Sequence, residues 1–202
     1  MRPDLQIVAG LVPAGTRVLD LGCGNGDLLE HLASKACRGT GVEIDGEAFL
    51  ASVTRGVAVL SLDIDTDLDA FADDSYDVVV LSQTLQATKR PWHVMAEIGR
   101  IAPRSIVSVP NFAYWRHRSE LLLAGRMPVS AELPYPWYQT PNIHLSTLPD
   151  TEALVAEVGL RVERRLLLDE RHGRLRHQSL ASNLRAARAV YVLGRRGSSA
   201  PA

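Results

Sequence analysis

Three acids and three glycines stand at spacings that suit a small nucleoside-like ligand. Asp20 closes the apolar run Val18-Leu-Asp-Leu21, and Gly22-Cys23-Gly24-Asn25-Gly26 follows at once before Asp27-Leu-Leu29 opens a helix. Glycines in such a turn accept positive φ and let the main chain approach a ligand closely. The pattern is GxGxG. It is not the dinucleotide fingerprint, because Asp27 stands where a third glycine is due, and no Gly-Lys-Ser/Thr follows to make a phosphate loop. A carboxylate at the strand end would repel a pyrophosphate and suits a ligand with an ammonium group. S-adenosylmethionine has an ammonium group and a sulfonium centre and no phosphate.

A second acid, Glu43, ends the run Gly41-Val-Glu43, at the offset from Gly22 where a carboxylate grips both ribose hydroxyls. Asp63-Ile64 follows a third apolar run, an acid and an apolar residue able to frame a purine ring. The ligand-facing set expected is therefore Asp20, Gly22, Cys23, Gly24, Asn25, Gly26, Glu43, Ile44, Asp63 and Ile64, joined by Ser82 and Gln83 after the fourth apolar run. The further acids Asp65, Asp67, Asp69, Asp73, Asp74 and Asp77 lack the glycine and terminal glutamate of a calcium loop and read as a solvated loop. No metal site is expected.

Methyl transfer to a hydroxyl or amine needs an acceptor in line and often a base within reach. After the fourth run stand Ser82-Gln-Thr-Leu-Gln86, and glutamine takes no proton near neutral pH. Gln83 and Gln86 suit recognition of the amino-acid end of a ligand or of an acceptor. Three histidines remain. His93 falls on an amphipathic helix, His117 sits in the basic run Trp115-Arg-His-Arg118, and His144 closes Thr140-Pro-Asn-Ile-His144 and is the best candidate base.

The elements that hold these residues alternate. Apolar runs at Arg17–Leu21, Gly39–Glu43, Val57–Leu60, Asp77–Ser82 and Ser105–Val109 read as strands. Between them Asp27–Leu32, Glu47–Thr54 and Pro91–Ile101 read as helices. A helix capped by Asp150 over Thr151–Val158 precedes two late strands, Leu160–Leu168 and Ala189–Leu193. The order predicts an α/β fold, Rossmann-like, with a mainly parallel sheet in one domain over 1–193 and a disordered tail over 194–202. Residues 110–145 break the rhythm. They hold five of the 11 prolines and six of the 11 aromatic residues, which marks an insert serving as a lid or a binding surface.

Composition excludes other classes. The 202 residues carry a formal net charge of −1, so no global basic field draws in nucleic acid. Residues 1–160 hold 12 Lys and Arg against 20 Asp and Glu, while 161–202 hold 10 Arg against three acids. The basic end is either a solvated strand pair or an edge for an anionic partner. No apolar run has the length to span a membrane, no leader pattern is present, and the two cysteines, Cys23 and Cys37, are expected to be reduced in the cytoplasm.

The loop resembles that of class I S-adenosylmethionine-dependent methyltransferases, which implies a seven-stranded sheet whose two late strands form an antiparallel edge. A narrower resemblance rests on longer motifs. Ser82-Gln-Thr-Leu-Gln-Ala-Thr88, Ile106-Val-Ser-Val-Pro-Asn-Phe112, Gly125-Arg-Met-Pro128 and Leu133-Pro-Tyr-Pro-Trp-Tyr-Gln-Thr-Pro-Asn-Ile-His144 are similar to the methionine-biosynthesis protein W family, MetW, from about Asp4 to Leu193. The chain departs from that family at Gln139, usually Asp, and at Ser146, often Cys. The resemblance implies work beside the homoserine O-acyltransferase of methionine synthesis, which in some organisms needs the W protein for activity. Two functions follow: an activating or regulatory subunit that binds S-adenosylmethionine or S-adenosylhomocysteine, and a catalytic methyltransferase acting on an unidentified small molecule. Outward-facing Trp115, Trp137 and Tyr138 would mark a partner surface, and inward-facing ones an acceptor pocket.

Overall fold

The computed structural model describes residues 1–130, 132–171, 173–175 and 181–196. Helix α1 (Pro3–Leu11) leads into β1 (Arg17–Leu21), α2 (Asp27–Ala33), β2 (Arg38–Val42), α3 (Gly46–Thr54) and β3 (Val59–Leu60). Then come β4 (Val78–Ser82), α4 (Pro91–Ile101), β5 (Arg104–Pro110), α5 (Trp115–Ala124), α6 (Leu148–Glu157), β6 (Leu160–Leu168), α7 (Ser182–Arg185) and β7 (Arg188–Arg195). All seven strands join one sheet in the order β3-β2-β1-β4-β5-β7-β6. Strands β1 to β5 are parallel, and β7 runs antiparallel to both β5 and β6.

Alternation along the central strands assigns their two faces. Leu19, Leu21, Val79, Leu81 and Val107 pack with Val94, Met95 and Ile98 of α4 and with α6 on one side. Val18, Val78, Val80 and Ile106 pack with Leu5 and Val8 of α1 and with Leu28 and Leu32 of α2 on the other. Covered on both faces, β4 is buried at every position, which is why its sequence is an unbroken apolar run. Strand order reverses at β1 and β4, and a crevice opens beyond the carboxyl ends of strands at such a point.

Several readings of the sequence are corrected. Helix α6 begins three residues earlier than expected: Thr147 is the cap, and Asp150 is the return partner in a capping box, its Oδ2 accepting from Thr147 N at 3.0 Å. Strand β7 runs to Arg195, two residues into the stretch read as tail, and 197–202 lie outside the described residues. The acidic run is not simply solvated. Asp65 is buried and takes the main-chain N–H groups of Lys89 and Arg90 at 2.9 Å. Asp73, Asp74 and Asp77 pair with Arg100, Arg195 and Arg17.

The charge imbalance between the two parts of the chain is offset in part by contact between them. Arg165 meets Glu152, Arg195 meets Asp74, and buried Arg188 sits between Asp4 and Glu132 at 3.3 and 2.5 Å. Both cysteines are free. No group of His, Cys, Asp or Glu able to hold a metal ion, and no helix long and apolar enough to cross a membrane, occurs among the described residues.

Candidate functional site

The glycine turn is built at the switch point and held by the end of β2 and by α3. Gly22, Gly24 and Gly26 have φ of 72°, 57° and 80°. Gly22 N and Cys23 N donate to Val42 O at the end of β2 (2.8 and 3.1 Å). Glu43 then folds back: its Oε2 accepts from Gly24 N at 2.8 Å, while Oε1 accepts from Ile44 N and Asp45 N at 2.9 Å. Ser52 Oγ of α3 donates to Gly24 O at 2.8 Å. The turn is thus a preformed cradle and not a flexible link.

Two cavities flank it and share Gly22, Gln83 and Thr84. One, of about 380 Å3, is bounded by Glu43, Ile44, Leu62, Asp63, Ile64 and the segment Ala87–Lys89. The other, of about 320 Å3, is bounded by Asp20, Cys23, Gly24, Asn25, Ser82 and, from α1, Arg2 and Leu5. Of the residues expected to face a ligand, only Gly26 borders neither cavity; it serves as the N-cap position of α2.

The two cavities differ in chemistry. The larger offers carboxylates beside apolar Leu62 and Ile64, a slot for a flat ring joined to hydroxyl groups. Asp63 Oδ1 accepts from Asp65 N at 2.8 Å, which fixes that carboxylate in place. In the smaller cavity burial pushes the Asp20 carboxyl up to about 7; Arg2 pulls it back and Glu43 adds to the rise. A ligand cation at Asp20 would offset that cost. Burial, and after it the Asp20 charge, push the Cys23 thiol up to about 12, so it is a wall and not a nucleophile.

Some of the contacts that build the site carried no local signal. Gln83 is in the left-handed region (φ 57°), and its Nε2 donates to buried Asp4 Oδ2 at 3.2 Å, tying the floor of both cavities to α1. Arg2 and Leu5 reach the site only through tertiary packing, while Thr84 comes with its neighbour Gln83 from the end of β4. The Pro3 that opens α1 was the available cue to a helix there.

Other candidates lie elsewhere. Gln86 borders neither cavity; its Nε2 donates to Gln83 O at 2.6 Å. His144 is exposed, is anchored by its main-chain N–H to Gln86 O at 2.9 Å, and faces a third cavity. His117 is no part of a basic surface patch. It is buried, stacked on Phe112 with Nε2 2.9 Å from Ser130 Oγ, and burial lowers its pKa. Within the insert Trp115, Trp137 and Tyr138 are 50%, 72% and 67% exposed, and Leu122 and Leu123 of α5 are 84% and 83% exposed.

Residues 2–193 match the family described as methionine biosynthesis protein MetW. The chain belongs to the MetW family. A curated relative, the bifunctional methionine biosynthesis protein MetXA/MetW of Rhodopirellula baltica, is 33% identical over 95% of this MetW-family chain and 32% of its own length. An uncharacterized methyltransferase of Mycobacterium avium is 32% identical over 50% of the chain and 41% of its own length. The chain therefore spans about a third to two fifths of the curated relatives it matches. Among solved structures, an S-adenosylmethionine-dependent methyltransferase of Mesorhizobium loti superposes with a TM-score of 0.70 at 15% identity, covering 96% of this chain and 98% of that one. That likeness is one of fold: the MetW-family chain has the class I methyltransferase fold, with a mostly parallel seven-stranded sheet.

Proposed function

We propose that this chain binds S-adenosylmethionine or S-adenosylhomocysteine and acts in the cytoplasm as an accessory subunit of homoserine O-acyltransferase, with little or no methyl transfer of its own. The observation that carries the ligand is the pair of cavities meeting at Gly22, Gln83 and Thr84. Glu43 and Asp63 suit ribose hydroxyls, Leu62 and Ile64 suit the adenine, and Asp20 suits the ammonium of the methionyl end. The backbone cradle has no room for a side chain at Gly22, where a Cβ would lie 2.6 Å from Thr84 Oγ1. When bound, S-adenosylmethionine supplies a methyl group on a cationic sulfur.

The accessory reading follows from what surrounds that sulfur. The polar neighbours at the end of β4 are Ser82, Gln83 and Thr84, and Asp20 is committed to the ligand ammonium. His144, the candidate base, borders neither cavity. The insert meanwhile presents Trp115, Trp137, Leu122 and Leu123 outward, an exposed apolar and aromatic set suited to an interface. A relative that joins MetXA and MetW in one chain supports the acyltransferase as the partner.

Calorimetry with each of the two nucleosides tests the ligand, and co-purification with the acyltransferase tests the partner. Wild type should bind, and Trp137→Ala should lose most of the partner while keeping the ligand, since an interface anchor truncated to alanine costs about 2 kcal/mol or more. No binding of either nucleoside would remove the ligand assignment. Full retention of the partner by both Trp137→Ala and Trp115→Ala would move the interface off the insert.

A further inference from the structure

A third cavity, of about 260 Å3, is not used by the function proposed above. It lies between the 3-10 turn Leu85–Ala87, the start of α4 and the start of α6. One side of that turn walls the larger nucleoside cavity through Thr84, Ala87 and Thr88, and Leu85 and Gln86 face this one. Its floor is aliphatic, from Leu85, Pro91, Val109 and Leu154.

Its polar lining is Gln86, His144, Ser146, Asp150 and Thr151, and among these the one carboxylate, Asp150, sets the charge. Gln86 is buried, and its Oε1 has no hydrogen-bond partner, a cost that buried amides rarely bear without a reason. Asp150 uses Oδ2 for the capping box with Thr147 and adds a carboxylate to the rim. Among the described residues no Lys or Arg borders the cavity. The α6 N-terminus offers little to an anion: Pro149 has no N–H, and Asp150 N is taken by Thr147 Oγ1. A carboxylate or phosphate would meet the Asp150 charge with no described cation beside it to offset the repulsion.

We propose that this cavity is a second small-molecule site, taking a primary ammonium group on a short aliphatic stem. The stem lies on the aliphatic floor, and the ammonium pairs with Asp150 at the rim and turns toward the buried Oε1 of Gln86 below it, with His144 at the mouth. Because Gln86 Nε2 donates to Gln83 O, occupancy is felt one turn away at the wall of the nucleoside site.

The test is a titration of the isotope-labelled full chain with propylammonium chloride, followed by amide chemical shifts, with sodium propionate at equal ionic strength beside it. Propylammonium should give saturable shifts at 85–87 and 144–154, with a Kd of about 1–10 mM for so small a molecule. Asp150→Asn, which keeps an acceptor for the helix cap, should weaken it by about tenfold or more. Leu145→Arg changes an exposed residue bordering the cavity and adds a like charge. It should abolish propylammonium binding and admit propionate. Equal binding of propionate to wild type, no saturable shift, shifts confined to Asp20–Gly26, or unchanged affinity in Leu145→Arg would each overturn the proposal. Nucleoside binding is read separately at Gly22–Gly26, so failure of one site leaves the other standing.

Discussion

The carboxylate of Glu43 and the main-chain N–H of Gly24 are joined by a 2.8 Å hydrogen bond across 19 positions of sequence. Glu43 thereby does two things. It closes the glycine turn against the end of β2, and it leaves one acceptor site, on Oε2, for the larger cavity it borders. Three main-chain donors on one carboxylate fix the group before any ligand arrives, so little conformational freedom is lost on binding.

Glu43→Ala should therefore cost both order and affinity. Loss of a charged acceptor leaves Gly24 N without its partner, worth about 1.5–3 kcal/mol, and nucleoside affinity should fall about 10- to 150-fold. Glu43→Gln keeps an acceptor and should fall between wild type and Glu43→Ala. Calorimetry and thermal unfolding on the three proteins measure both effects.

Gly22 and Gly24 both have positive φ, yet alanine should affect them differently. At Gly24 a Cβ meets nothing within 4 Å, so only the left-handed backbone is penalised, by about 1–2 kcal/mol. At Gly22 the Cβ would lie 2.6 Å from Thr84 Oγ1 and 2.7 Å from its Cγ2. Thr84 borders both cavities, so Gly22→Ala should lose more stability than Gly24→Ala and also deform the ligand site. Denaturant unfolding of the pair ranks the two costs.

Much of this site was legible because its signals are local. A strand-ending acid, a run of turn glycines and an acid after the next strand sit in one stretch, and each type has a conformational or charge reason to be there. Pro91–Ile101 was readable to the residue because one face is uniformly buried. Helix α5 escaped detection for the converse reason: its leucines are exposed, only His117 among its residues is buried, and Tyr114 gives no side-chain cap. The helix start at Thr147 was missed because Asp stands where a capping box commonly has Glu or Gln. Gln83 was legible as a site residue from its place after β4, but the hold that Asp4 keeps on it from 79 positions away has no signature in sequence.

Asp20 makes ligand binding depend on pH. Its carboxyl sits at about 7 in the folded chain against an ordinary 3.8, so the folded state holds a proton that the unfolded state has released between those values. With more protons bound in the folded state, stability from this group falls as pH rises through that window, and Asp20→Asn should flatten the slope. A ligand ammonium requires the ionised form. Affinity should therefore decline below about pH 7, by up to tenfold per unit, with proton release on binding at pH 6 visible as a buffer-dependent heat.

The buried cluster of Asp4, Arg188 and Glu132 ties α1 and the insert to the start of β7. Removing Glu132 takes one of its ion-pair partners from buried Arg188, which keeps Asp4, at a cost of up to about 3–5 kcal/mol. Glu132→Ala should lower Tm by roughly 10 °C in a chain of this size, whereas Glu120→Ala on α5 should leave it nearly unchanged. Thermal unfolding by circular dichroism tests the difference.

The most direct test of the account is one reaction mixture: homoserine O-acyltransferase, homoserine and an acyl donor, with and without this chain, in the presence of labelled S-adenosylmethionine. The account predicts that acylation accelerates when the chain is added and that no labelled product accumulates, at a time when an enzyme of ordinary turnover, about 1–10³ per second, would have consumed the label. Rapid label transfer abolished by His144→Ala, with acylation indifferent to the chain, would contradict it and make the protein a methyltransferase in its own right.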